Sequence, residues 1–120
     1  MIFRPHIIVI ILFSFWRVTE AELSYPYTAS AERTKLIKGQ FKKIKKGASK
    51  VTVLKYLKVP DEILDLYEPK MYKPKVIGET YWYIIQRMFK SGSVNEKNEK
   101  LVRVSFNLKG QVIEVTHWGF

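Results

Sequence analysis

The chain has no cysteine, which excludes a disulfide framework, a thiolate metal site, a cysteine nucleophile and a thiol-linked lipid anchor. Histidine is nearly absent, with His6 near the N-terminus and His117 near the C-terminus. A lone imidazole with no serine nucleophile motif, no paired carboxylates and no other nitrogen ligands is poor material for catalysis or for a metal. Glycine forms no phosphate-cradling run. Arginine is sparse beside lysine, five residues against sixteen, whereas bidentate recognition of phosphates and bases favours arginine. These shortages lead to the expectation of a chain that is not an enzyme, holds no cofactor or metal, and has nucleic acid as the less favoured of its anionic partners.

Charge of one sign is also short: 11 Asp and Glu stand against 21 Lys and Arg, for a net charge of +10. An apolar fraction of 47% with 14% aromatics is too high for a disordered chain, so a single small domain with a strongly positive field is expected. Only the N-terminus has a long apolar run, Ile7 to Trp16, preceded by Arg4 and followed by Thr19-Glu20-Ala21. As a helix it would be roughly 15 Å long, about half of what a spanning helix needs. Residues 1–21 therefore read as a signal peptide cut after Ala21, with retention as an anchor the lesser alternative. Removing them takes away two arginines and one glutamate, so the charge falls only from +10 to +9.

Residues 22–30 lack periodicity and read as an extended tail, and residues 31–120 as one domain. From Ala31 to Lys46, Leu36, Ile37, Phe41 and Ile44 recur at helical spacing between lysines. Gly39 weakens the start of that helix. Gly47 supplies a stop, and Ser49 is an N-cap for a second helix that Pro60 ends. Residues 61–78 carry prolines and the acidic cluster Asp61, Glu62, Asp65 and Glu68, which reads as a long solvated connection. The aromatic run from Glu79 to Phe89 reads as a strand. Leu101 to Leu108 alternates, with Val102, Val104, Phe106 and Leu108 on one face. The turn at Lys109-Gly110 then leads into a hairpin partner from Gln111 to Trp118. The expected fold is α+β: two short helices packed on a three-stranded antiparallel sheet.

Within this order, Ile44-Lys45-Lys46-Gly47-Ala48-Ser49 with Val51, Leu54 and Leu57-Lys58-Val59-Pro60 resembles the glycine-serine/threonine…proline signature of the SmpA/OmlA (BamE-like) small envelope proteins. Tyr81-Trp82-Tyr83 and the Val104-Ser105-Phe106-Asn107…Gly110-Gln111-Val112 hairpin extend the resemblance over roughly residues 36 to 116. Two positions depart from the family: Lys58 replaces its usual glycine, and its lipidated cysteine is missing. The resemblance implies a ββ-hairpin-closed ααβββ fold without an active site, exported to the periplasm, that docks other proteins of the bacterial envelope and supports outer-membrane protein assembly or envelope integrity. A secreted inhibitor or immunity-type protein that grips an enzyme with its sheet is the alternative of another class.

Two candidate surfaces follow from the residues. The aromatic sheet face, with Tyr81, Trp82, Tyr83 and Trp118, is the candidate for a protein partner. The lysine face, with Lys38, Lys42, Lys43, Lys45, Lys46 and Lys50, suits an anionic partner such as lipid headgroups. Its competing reading is a solvated helix face.

Overall fold

Two stretches of backbone are committed to helix by their caps. The computed structural model, which describes residues 23–69, 73–89 and 98–120, shows α1 over Ala31–Gln40, where the Ser30 hydroxyl accepts from the Arg33 N–H at 3.1 Å. It continues through a 3-10 turn at Phe41–Lys43, so Gly39 lies inside the helix and does not delay its start. Helix α2, Lys50–Leu57, begins at the expected Ser49 cap, whose hydroxyl accepts from the Thr52 N–H at 3.2 Å. The signal peptide expected over residues 1–21 lies outside the described residues.

The remainder forms five antiparallel strands, two more than expected: β1 Tyr27–Thr28, β2 Glu62–Tyr67, β3 Val76–Arg87, β4 Lys100–Asn107 and β5 Val112–Trp118. Central β3 is flanked on one edge by both β2 and β1, which pair with different parts of it, and on the other by β4, with β5 beyond. The α+β class holds, while the three-stranded expectation undercounts. It missed β2 because Glu62-Ile63-Leu64-Asp65-Leu66-Tyr67 mixes apolar and acidic residues on both faces and sits between prolines. It missed β1 because two residues carry no period.

Alternation along the strands decides what is buried. Tyr81 and Tyr83 pair with Val104 and Val102 and share a face with Phe106 and Val112. That face packs against Ile37, Phe41, Ile44, Val53 and Leu57 of the helical layer. Each fully buried aliphatic or aromatic side chain there contributes about 1.5–3 kcal/mol of transfer free energy. Leu108, expected on this face, instead stands 73% exposed in the β4–β5 turn. Gly78 is needed where β3 crosses closest to β4, since a Cβ there would come within 1.8 Å of the Phe106 carbonyl oxygen.

One backbone position works against its residue. Lys58, just past α2, has φ 67 and ψ −158, a region that glycine occupies freely and other residues only under strain. Its carbonyl accepts from the buried Tyr83 hydroxyl at 2.8 Å, so the packing holds the residue there. Replacing Lys58 by glycine should release the strain without losing that bond. The urea midpoint of Lys58→Gly is expected to rise, for a net stabilisation of about 1 kcal/mol at unchanged m-value. A lowered midpoint would show that the conformation carries no strain.

Candidate interaction surfaces

The local problem that the fold solves first lies on the edge of β3. β2 ends its pairing at Trp82 and β1 begins its own at Gln86, which leaves the Ile84 N–H between them without a strand partner. The carboxylate of Asp61 fills the gap, accepting from that N–H at 2.6 Å, while the Asp61 N–H donates to the Trp82 carbonyl at 2.8 Å. Arg33 of α1 closes on the same carboxylate at 3.2 Å, donates to the Val59 carbonyl at 3.0 Å and lies 5.9 Å from the centre of the Tyr83 ring. Asp61 was expected to keep a loop in water. It is instead a buried cap that ties the helices to the sheet, since an unpaired N–H in that gap would carry the full cost of desolvation.

Neither described helix packs on the second face of the sheet. Here the register aligns three cross-strand rows: Thr80, Ser105 and Glu114; Trp82, Arg103 and Thr116; Ile84, Leu101 and Trp118. Ile84 and Leu101 are buried at one end. The rest forms a shallow trough of about 220 Å³, closed on the β2 side by Leu64, Asp65 and Leu66. Two guanidinium groups lie over the Trp82 ring, Arg87 at 5.6 Å and Arg103 at 5.1 Å from its centre. Arg87 is itself buried and bound by Glu99 at 2.7 Å and Glu62 at 3.2 Å. The exposed Arg103 has no carboxylate within ion-pair distance among the described residues. Thr80 and Ser105 hydroxyls bond each other at 3.1 Å on the floor, and the buried Trp82 indole N–H has no acceptor among the described residues.

The four aromatic residues proposed from the sequence therefore divide. Trp82 and the 57% exposed Trp118 belong to the free face. Tyr81 and Tyr83 do not, because the two-residue period turns them under the helices, where they are almost fully buried. The arginines that frame Trp82 were missed; the one signal for them is Arg103 on the wet face of an alternating strand.

The lysines sort by what they touch. Lys38, Lys42, Lys43, Lys45 and Lys46 are exposed, with Lys38 over Phe120 at 5.3 Å and Lys43 over Tyr56 at 5.9 Å. Lys50 is half-buried, paired with Glu79 and 5.7 Å from the centre of the Phe106 ring, so unlike the other five it already has an acidic partner in the molecule. His117 packs against Phe41 and Phe120, with ring centres 5.0 and 4.9 Å away. Among the described residues no group of three or more possible metal ligands comes together, and no helix is long and apolar enough to cross a membrane.

No protein-family model, no curated protein and no solved structure matches this chain.

Burial raises the pKa of Asp61 above its ordinary 3.8, outweighing the opposing pull of Arg33 and the Ile84 N–H. The native chain thus holds this proton more firmly than the unfolded one does. The linked stability is full below 3.8 and declines as pH rises through the folded value. Denaturant titrations of the wild type and Asp61→Asn across this interval are expected to show the wild type losing stability relative to the variant as pH rises. A wild type that gained stability relative to the variant as pH rose would mean that the Arg33 pairing outweighs burial.

Proposed function

We propose that this chain is a non-enzymatic protein-interaction module of the bacterial cell envelope, exported to the periplasm, where it serves as an accessory factor in outer-membrane protein assembly or envelope integrity. The observation that carries the reading is the free face of the sheet. A sheet face that bears Trp82, Trp118, Leu64 and Arg103, with neither described helix over it and no ion pair to Arg103 among the described residues, has the chemistry of a protein-docking surface: aromatic area, a charged anchor and hydroxyls within one shallow trough. The likeness of the Gly47–Pro60 segment and of the β4–β5 hairpin to the SmpA/OmlA (BamE-like) pattern supports the envelope assignment. So do the signal-like N-terminal residues.

The titratable groups lining the trough are Asp65, Arg103 and Glu114, and the Thr80 and Ser105 hydroxyls bond each other. Binding through Arg103 and the indole face suits a partner surface with a carboxylate beside apolar groups. The same sheet geometry also serves the second reading, an inhibitor or immunity-type protein that covers an enzyme.

Affinity capture from envelope extracts of the producing cells, with the wild type and Arg103→Glu as baits, tests the proposal. An envelope complex subunit retained by the wild type and reduced at least about tenfold on Arg103→Glu, with unchanged circular dichroism, is the expected result. Retention of one soluble enzyme would instead establish the inhibitor reading. Equal capture by both baits would remove the sheet face from the account.

A further inference from the structure

We infer that the helical layer docks the protein onto an anionic lipid surface through one end of the molecule, where Val51 and Leu108 enter the headgroup region between Lys45, Lys46, Lys55 and Lys109. The inference gives the lysine face of the proposed envelope module a defined ligand and an orientation, and it rests on that reading for its biology. The physics is local.

Charge is strongly segregated between the layers. From Ala31 to Lys58 the chain carries nine lysines and one arginine against a single acid, Glu32. Among the described residues only Arg33 and Lys50 of those cations form ion pairs, with Asp61 just before β2 and Glu79 of β3. The acids Glu62, Asp65 and Glu114 belong to β2 and β5. The helical layer thus presents uncompensated lysines, and an anionic surface is their electrostatic complement.

The backbone then gathers part of that charge around two aliphatic side chains. Gly47 donates to the Val112 carbonyl at 2.8 Å and the Val112 N–H donates to Ala48 at 2.9 Å, while Ser49 bridges to Gln111. The stem of Lys50 lies against Gly110, with its Cε 3.7 Å from where a Cβ would stand. These contacts fix the β4–β5 turn beside the start of α2. Val51 is 76% exposed and Leu108 73%, the two highest values among the described large hydrophobic residues. Lys45, Lys46, Lys55 and Lys109 are exposed; Lys55 follows Val51 by one turn of α2, Lys109 adjoins Leu108 in the turn, and Lys45 and Lys46 immediately precede the Gly47–Val112 contact.

Exposed aliphatics ringed by flexible lysines fit the headgroup boundary of a bilayer, where the apolar tips leave water and the ammonium groups stay with phosphates. A nucleic acid would call for open aromatic stacking platforms and arginine forks, whereas the cations described at this end are lysines and its Tyr56 is half-buried beneath Lys55.

Sedimentation with phosphatidylcholine vesicles, with and without phosphatidylglycerol, tests the inference on the protein as purified from its cells. The expected result is binding to the anionic vesicles only, weakened by added salt. The double variant Val51→Ser/Leu108→Ser and the triple variant Lys45→Ala/Lys46→Ala/Lys109→Ala should each bind several-fold more weakly, both folded because every substituted side chain is exposed. Binding that is independent of anionic lipid, unchanged in the double variant, or outcompeted by duplex DNA would overturn it. The double variant should still capture the protein partner, so loss of that capture would count against the sheet-face reading and not against this one.

Discussion

The carboxylate of Asp61 is the point at which the two layers of this molecule are joined. It satisfies the one stretch of central-strand backbone that falls between β1 and β2, and its other lone pairs hold the arginine of α1. Arg33 in turn fixes the Val59 carbonyl, and the Tyr83 hydroxyl fixes that of Lys58. The turn that leads out of α2 is therefore bound on both sides. A buried charge pair is costly to desolvate and is retained here with further hydrogen bonds on both partners. Breaking one member would leave the other charged and unpaired, which is why α1, the Val59-Pro60 turn and the middle of β3 should be lost together.

That junction makes the two sheet faces unequal. Where Arg33 and Asp61 draw the helices down, Tyr81, Tyr83, Val102 and Val104 are sealed from water. The reverse face keeps Trp82 covered mainly by arginine, a side chain whose flat guanidinium shields an aromatic ring while staying hydrated at its edge. Arg87 is locked by two glutamates, so Arg103 is left as the adaptable member of the pair. The helical layer, meanwhile, has spent its few acidic contacts on Arg33 and Lys50. Two surfaces of different chemistry result, one aromatic and mixed in charge, the other lysine-rich, and they look away from each other across the sheet.

Much of this was legible in the residues because local chemistry announced it. Ser49 marked the start of α2, and the alternation of β4 named its buried face as far as Phe106, whereas the first helix, expected to run to a stop at Gly47, ends at Gln40 with a 3-10 turn to Lys43 and an extended Ile44. Other features depended on distant partners. Tyr81 to Ile85 is apolar on both sides, so only the pairing with β4 tells which side meets the helices. β2 hides because its acids are used structurally: Glu62 by Arg87, and the preceding Asp61 by a backbone N–H 23 residues further on. Lys50 looks like its lysine neighbours in sequence and differs only in having Glu79 across from it. In each case the missing information was a long-range contact.

The envelope reading makes one demand that precedes any partner. Fractionation of the producing cells, with intact-mass measurement of the native chain, tests it directly. The account predicts a periplasmic or membrane-associated protein whose mass begins at Glu22. A full-length product confined to the cytosol would contradict it, and would leave the sheet trough and the lysine end as surfaces for a different compartment.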